Sequence, residues 1–162
     1  MSEMTPSAAP SMPTSSTFDI HLVNTGDNHI FDHYFEEAKA RWESVLIGDL
    51  QDIPPQDIDW FYGKLNKEYK DTIDDIVIGY QISYIDGPGL VLGRAAPLYF
   101  RQTTGSPISG YMEFDFEDLA TMAHEDIEVI GKYFMLLSYH SCEVARAYIF
   151  YYSKSCMRWD MF

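Results

Sequence analysis

The chain has 162 residues, of which 46% are hydrophobic, and its formal net charge is −14. This length and apolar content suffice for one compact core and exclude a globally disordered chain. The acidity disfavours nucleic-acid binding, because an acidic surface repels phosphate backbones.

Composition divides the chain into three parts. Residues 1–17 are rich in Ser, Pro, Thr and Ala, which predicts a flexible leader, and they lack the basic and apolar segments of a signal peptide. Residues 18–130 are predicted to form the domain. The charge then changes sign: residues 1–130 carry 7 Lys and Arg against 23 Asp and Glu, a net −16, whereas residues 131–162 carry 4 against 2, a net +2.

The domain is predicted to begin with a strand and a helix. Residues 18–22 alternate apolar and polar side chains, which indicates a half-buried strand. A turn follows in NTGDN, where Asp27 or Asn28 is available as a helix N-cap. Apolar residues then recur at steps of three and four up to Gly48, which predicts an amphipathic helix. Its apolar face consists of Phe31, Tyr34, Phe35, Ala38, Trp42, Val45 and Leu46.

Strands and loops are predicted to follow. QDIPPQDIDW, residues 51–60, reads as a loop because of its two prolines, and residues 61–72 are ambiguous. The next segment predicts a strand with one apolar face, formed by Ile76, Ile78, Tyr80 and Ile82. After it come a DGPG turn at 86–89, an extended stretch at 90–102 and a loop at 103–110.

A short strand and a helix follow the loop. In YMEFD, residues 111–115, Glu113 is predicted to face outward, and Asp115 is predicted to cap a helix that opens at FEDLATM. Asp118 would lie near the positive end of that helix. The order of elements predicts an α+β fold, a mixed twisted sheet packed against the amphipathic helix.

Four segments resemble a known family, the leishmanolysin-like secreted zinc metalloproteases. The resemblance implies that residues 18–130 are the N-terminal part of a zincin-like catalytic domain. It also implies that YMEFD is the edge strand beside the active-site cleft, where such a strand pairs with the substrate backbone. The segments are FDIHLV (18–23), EEAKARWESVLIGDL (36–50), IDDIVIGYQISYIDGPGLVLGRAAP (73–97) and SPISGYMEFDFEDLATM (106–122).

The family's zinc helix carries an HExxH motif, which this sequence lacks. One interpretation makes HEDIE a changed zinc site, with His124 and Glu128 as ligands and Glu125 as general base. The other makes HEDIE a solvated acidic helix turn that precedes the position of the motif. We favour the second, assign no catalytic, cofactor-binding or metal-binding residue, and expect zinc only in the intact family.

Two further groups were considered as metal ligands. His29 and His33 are spaced i, i+4, and Asp71, Asp74 and Asp75 offer carboxylates of the kind that calcium prefers. We interpret the histidines as the buried start of a helix and the aspartates as the polar entrance to a strand.

The tail, residues 131–162, resembles nothing in the family. Gly131, Lys132 and Tyr133 can be encoded by GGT-AAG-TAY, which contains the usual start of an intron, so we predict that the tail translates a retained intron or follows a mispredicted exon end. Its apolar window, residues 133–152, is interrupted by charges, so membrane association is only weakly indicated. Cys142 and Cys156 are compatible with a disulfide and with free thiols.

The predicted function is that of a truncated, inactive member of a zinc metalloendopeptidase family. The alternative is a noncatalytic module that binds a peptide or protein along an edge strand of the same scaffold. The family is mostly secreted or surface-bound, and the leader carries no secretion signal.

Overall fold

The computed structural model describes residues 17–60, 65–122, 127, 148–153 and 156–161. It contains strands and two helices in the mixed order expected of an α+β fold, which confirms that prediction. The elements are β1 (Ile20–Asn24), α1 (Asp32–Glu43), β2 (Gln56–Trp60), β3 (Leu65–Tyr69), β4 (Ile76–Ser83), β5 (Val91–Phe100), β6 (Pro107–Asp115), α2 (Phe116–Thr121), β7 (Tyr148–Ser153) and β8 (Cys156–Met161).

Six of these strands form one mixed sheet in the order β1-β4-β6-β5-β7-β8. β1, β4 and β6 are parallel to one another, whereas β5, β7 and β8 are each antiparallel to the preceding neighbour in that order. β2 and β3 form a separate antiparallel pair. Because parallel strands end at the same side of a sheet, the segments after β1, β4 and β6 leave from a common side.

The main core lies between α1 and one face of the sheet. Phe35 stacks on Tyr80 with a centroid separation of 4.1 Å and meets Phe114 edge-on at 5.4 Å. The alternation predicted for β4 is confirmed, because its four apolar side chains at every second position are all buried in this core. Each such side chain stabilises the fold by about 1.5–3 kcal/mol relative to exposure.

A second apolar cluster covers the opposite face of the sheet. It includes Ile58 and Tyr69 from the β2–β3 pair, together with Val77 from β4 and Tyr111 from β6. Since both faces are covered, every residue of β6 is buried. This burial extends to the polar residues of β6, Ser109, Glu113 and Asp115.

Several predicted boundaries were wrong. The predicted loop at 51–60 contains β2, in which Ile58 becomes buried only through non-local packing. β6 begins at Pro107, inside the predicted loop at 103–110. YMEFD is not an edge strand: it belongs to β6, which pairs with β4 on one side and β5 on the other.

The predicted caps had different outcomes. α1 begins at Asp32, and its N-cap, Phe31, makes no side-chain hydrogen bond, so neither Asp27 nor Asn28 caps it. Instead, Asn28 Oδ1 accepts from the backbone N–H of Ile30 at 3.1 Å and closes the preceding turn. The cap predicted for α2 is confirmed, because Asp115 accepts from two backbone N–H groups of its first turn.

The predicted leader lies outside the described residues, except Thr17, which bridges to Ile47. Of the tail, the structure describes β7 and β8, and β7 adds to the sheet beside β5. Neither described helix is both long enough and apolar enough to cross a membrane.

Candidate functional site: the outer edge of β5

A buried charged cluster lies across β4, β6 and β5. Glu113 is 2% exposed, so the prediction that it faces outward was wrong. Its Oε1 accepts from Gln81 Nε2 at 2.6 Å and from Ser83 Oγ at 2.7 Å. Its Oε2 accepts from Nε and Nη2 of Arg94, both at 2.5 Å.

These donors decide the charge of Glu113. Burial alone would raise its pKa, but the hydrogen bonds from Ser83, Gln81 and Arg94 outweigh burial and hold the pKa of Glu113 below its ordinary value. The carboxylate therefore stays ionised inside the sheet and neutralises Arg94. The ion pair with Glu113 also fixes the position of the Arg94 side chain on β5.

Beyond β5, the sheet is extended by β7. The β5–β7 register runs from Val91 opposite Tyr151 to Ala95 opposite Tyr148, so Arg94 lies between Glu113 on β6 and Ile149 on β7. We call Val91–Ala95 the accepting half of β5, since its outer side accepts an antiparallel strand.

The remaining part of β5, Ala96–Phe100, differs from the accepting half. No described strand pairs with its outer side. It contains Pro97, which has no backbone N–H, and its pairing with β6 shifts register on both sides of Tyr99. A proline and irregular register are features that protect a sheet edge from further strand addition. Strand addition to β5 is thus directed to the accepting half.

The DGPG turn fixes the start of the accepting half. Asp115 Oδ2 accepts from the backbone N–H groups of Ile85, Asp86 and Gly87 at 2.7, 3.1 and 3.2 Å. Asp86 Oδ1 in turn accepts from the N–H of Val91 at 3.1 Å. The turn itself needs glycine, because φ is +87° at Gly87.

Asp118 holds the other end of this turn. Its Oδ1 accepts from the N–H of Gly89 at 2.6 Å, whereas its buried Oδ2 has no hydrogen-bond partner among the described residues. Burial, reinforced by the nearby carboxylates of Asp115 and Asp86, raises the pKa of Asp118. Burial would also raise the pKa of Asp115, but the backbone N–H groups that it accepts from lower that pKa below its ordinary value. The two carboxyl groups that hold this turn therefore have pKa values shifted in opposite directions.

The two histidines considered as ligands lie at the surface. His29 Nδ1 is 2.8 Å from Asp32 Oδ2, and the His33 ring lies 3.9 Å from that of Tyr34, centroid to centroid. Both side chains are exposed, so the prediction that they occupy a buried helix start was wrong. Among the described residues, no group of three potential metal ligands includes either of them.

The aspartates lie directly before β4, as expected for the polar entrance to a strand. Asp74 groups with Asp49 and Asp52, whose carboxylate oxygens lie within 4.8 Å of one another at the surface. Asp75 is buried and accepts from the backbone N–H groups of Asp19 and Leu50. The surface group consists of carboxylates alone, the ligand type that calcium prefers, and lacks the imidazole or thiolate ligands of the usual zinc sites.

Within HEDIE, His124, Glu125 and Glu128 lie outside the described residues, whereas Ile127 is described and is buried in the main core. No protein-family model, curated protein or solved structure matches this chain. The resemblance to leishmanolysin-like metalloproteases is therefore carried by the four sequence segments alone and stays a prediction.

Proposed function

We propose that this chain is a noncatalytic peptide-binding module that takes up an extended segment along the accepting half of β5. The observation that carries the proposal is the antiparallel pairing of β7 with Val91–Ala95. It locates a stretch of β5 whose outer backbone groups are arranged for a further strand. In this mode of recognition, main-chain hydrogen bonds provide the affinity and alternate side chains provide the specificity.

Charge and composition suggest the class of segment. Residues 1–130 carry a net −16, and the strand seated on the edge, YIFYYS, is aromatic and comes from the part of the chain with a net +2. Opposite charges favour encounter and orientation. An extended, aromatic, positively charged peptide is therefore the ligand that this edge favours.

A labelled peptide with the sequence RAYIFYYSK, residues 146–154, tests the proposal on the full chain. Two N-methylated versions of the peptide serve as matched probes. In one, the N–H groups on one side of the peptide strand are methylated, and in the other, the N–H groups on the opposite side are methylated. We expect one set of methyl groups to abolish binding and the other to leave it nearly unchanged, because only alternate residues face β5. Amide chemical shifts should change at Val91–Ala95. Binding that tolerates both sets, or that maps elsewhere, overturns the proposal.

We also propose that the chain is an inactive form of a zinc metalloendopeptidase scaffold. The support is that IDGPG and MEFD, the two more specific family-like pieces, are joined by the three hydrogen bonds that Asp115 accepts. We expect purified protein to contain no stoichiometric zinc and to cleave no peptide. Zinc that is stoichiometric, and lost in His124→Ala, would show that HEDIE is a metal site. A transcript that skips the Gly131 codon and continues into an HExxH frame would support the truncation.

A further inference from the structure

We propose that the β7–β8 hairpin closes the peptide site of its own chain, so that an external segment binds only when the hairpin leaves. This inference rests on the proposed peptide-binding function. The inference adds regulation to that function, because the β7–β8 hairpin would compete with an external peptide for the same site within one chain.

The first argument is that the two occupants need the same backbone groups. β7 pairs with Val91–Ala95, which is the accepting half, and the rest of β5 is protected by Pro97 and its irregular register. A peptide cannot add to the outer side of Val91–Ala95 while β7 is paired there, because β7 already occupies the position of the neighbouring strand on that side. The hairpin and the ligand therefore exclude one another.

The second argument is that, among the described residues, β7 is the strand through which the hairpin pairs with the rest of the sheet. Four register pairs join β7 to β5, whereas six join β7 to β8, from Tyr148 opposite Met161 to Ser153 opposite Cys156. The β5–β7 pairing also shifts register between Val91 and Gly93. The hairpin can thus detach with its own pairing intact and leave β1, β4, β6 and β5 as a complete mixed sheet.

The energetic consequence follows from competition. When the open form is a small fraction of molecules, the apparent dissociation constant of the peptide rises by the inverse of that fraction. A linked competitor acts at an effective concentration on the order of millimolar when its linker spans the two sites. Weakening the β5–β7 pairing should therefore tighten the binding of an external peptide.

A matched pair of proline variants of the full chain tests this prediction. Ile149→Pro lies within the β5–β7 pairing, and Ser153→Pro lies in β7 beyond it. Proline removes a backbone N–H and disrupts pairing in either place. We expect Ile149→Pro to bind the RAYIFYYSK peptide about tenfold more tightly than wild type, and Ser153→Pro to bind it like wild type. Equal affinity in Ile149→Pro and wild type overturns the inference but leaves the peptide site standing, whereas no binding by either overturns the site itself.

A reversible lock provides the converse experiment. Ala95→Cys with Tyr148→Cys places two thiols on directly opposed residues, in a chain whose Cys142 and Cys156 are replaced by Ser. The oxidised monomer should bind no peptide, and reduction should restore wild-type affinity. An oxidised monomer that still binds at Val91–Ala95 overturns the inference, and so does a disulfide that forms only between two copies.

Discussion

Two buried carboxyl groups show how partners decide the charge of a residue. Glu113 and Asp118 are both almost fully buried, and burial alone would raise the pKa of each. Glu113 receives hydrogen bonds from Ser83, Gln81 and Arg94, so its pKa falls below the ordinary value. Asp118 receives one backbone N–H and faces other carboxylates, so its pKa is raised. The same depth of burial thus gives opposite dependences of stability on pH.

Glu113→Gln should lower the free energy of unfolding at neutral pH by about 2–4 kcal/mol, since it leaves Arg94 without its carboxylate partner. A depressed folded-state pKa contributes stability above the unfolded value, about 4.3, and that stability is lost as pH falls through the folded value. The difference in the free energy of unfolding between wild type and Glu113→Gln, measured by urea unfolding, should therefore become smaller at acidic pH. Glu37→Gln, on the exposed side of α1, is the control and should change little. A difference in the free energy of unfolding that does not change with pH would contradict a stabilising ion pair between Glu113 and Arg94.

Asp118→Asn should show the opposite trend. A raised folded-state pKa means that the wild type is most stable at low pH and loses stability as pH rises from the unfolded value, about 3.9, through the folded one. The uncharged amide lacks this loss, so the stability of Asp118→Asn relative to wild type should increase with pH. Urea unfolding across this range measures the trend, with Glu37→Gln, on the exposed side of α1, as control. If the stability of Asp118→Asn relative to wild type falls as pH rises, the pKa of Asp118 is not raised in the folded state.

The elements differ in how far local sequence determines them. β4 was predictable because its alternation is local and its core face is strictly apolar. β2 was not, because QDIDW directly follows two prolines, shows no extended apolar alternation and depends on pairing with β3. The edge assignment of YMEFD failed for a related reason: Glu113 looks solvent-facing until Arg94, 19 residues earlier, pairs with it. The accepting half of β5 likewise depends on which strand lies outside it, which no local pattern shows.

The packing of α1 on the sheet gives a prediction at the scale of elements. Phe35→Ala should destabilise the protein by about 3–5 kcal/mol, because it removes a ring that contacts both β4 and β6 and leaves a cavity. Ile30→Ala is the matched control, since Ile30 is 69% exposed and should cost almost nothing. Thermal and urea unfolding of both variants would measure the difference. A cost below about 1 kcal/mol for Phe35→Ala would show that α1 does not pack on the sheet as described.

At the scale of the whole molecule, the uneven charge and the pairing of β7 with β5 belong to one argument. The part that holds the accepting half is strongly acidic, and the part that supplies β7 is weakly basic. Their attraction favours the hairpin on β5 and equally favours an external basic peptide in its place. Because the two occupants share the same electrostatic preference, salt should weaken both contacts. The effect of salt on peptide binding can be measured alone only in Ile149→Pro, the variant in which the hairpin is released.

Salt dependence in Ile149→Pro therefore tests the electrostatic part of recognition alone. Raising NaCl from about 0.05 M to about 0.5 M shortens the screening length to a few ångströms, so affinity for RAYIFYYSK should fall about tenfold. A peptide in which Arg146 and Lys154 are replaced by Ser should bind more weakly at low salt and show little dependence on salt. Most of the difference should appear in the association rate, because long-range attraction acts before contact. An affinity that is unchanged or rises with salt would show that aromatic contacts and backbone pairing, not charge, select the peptide.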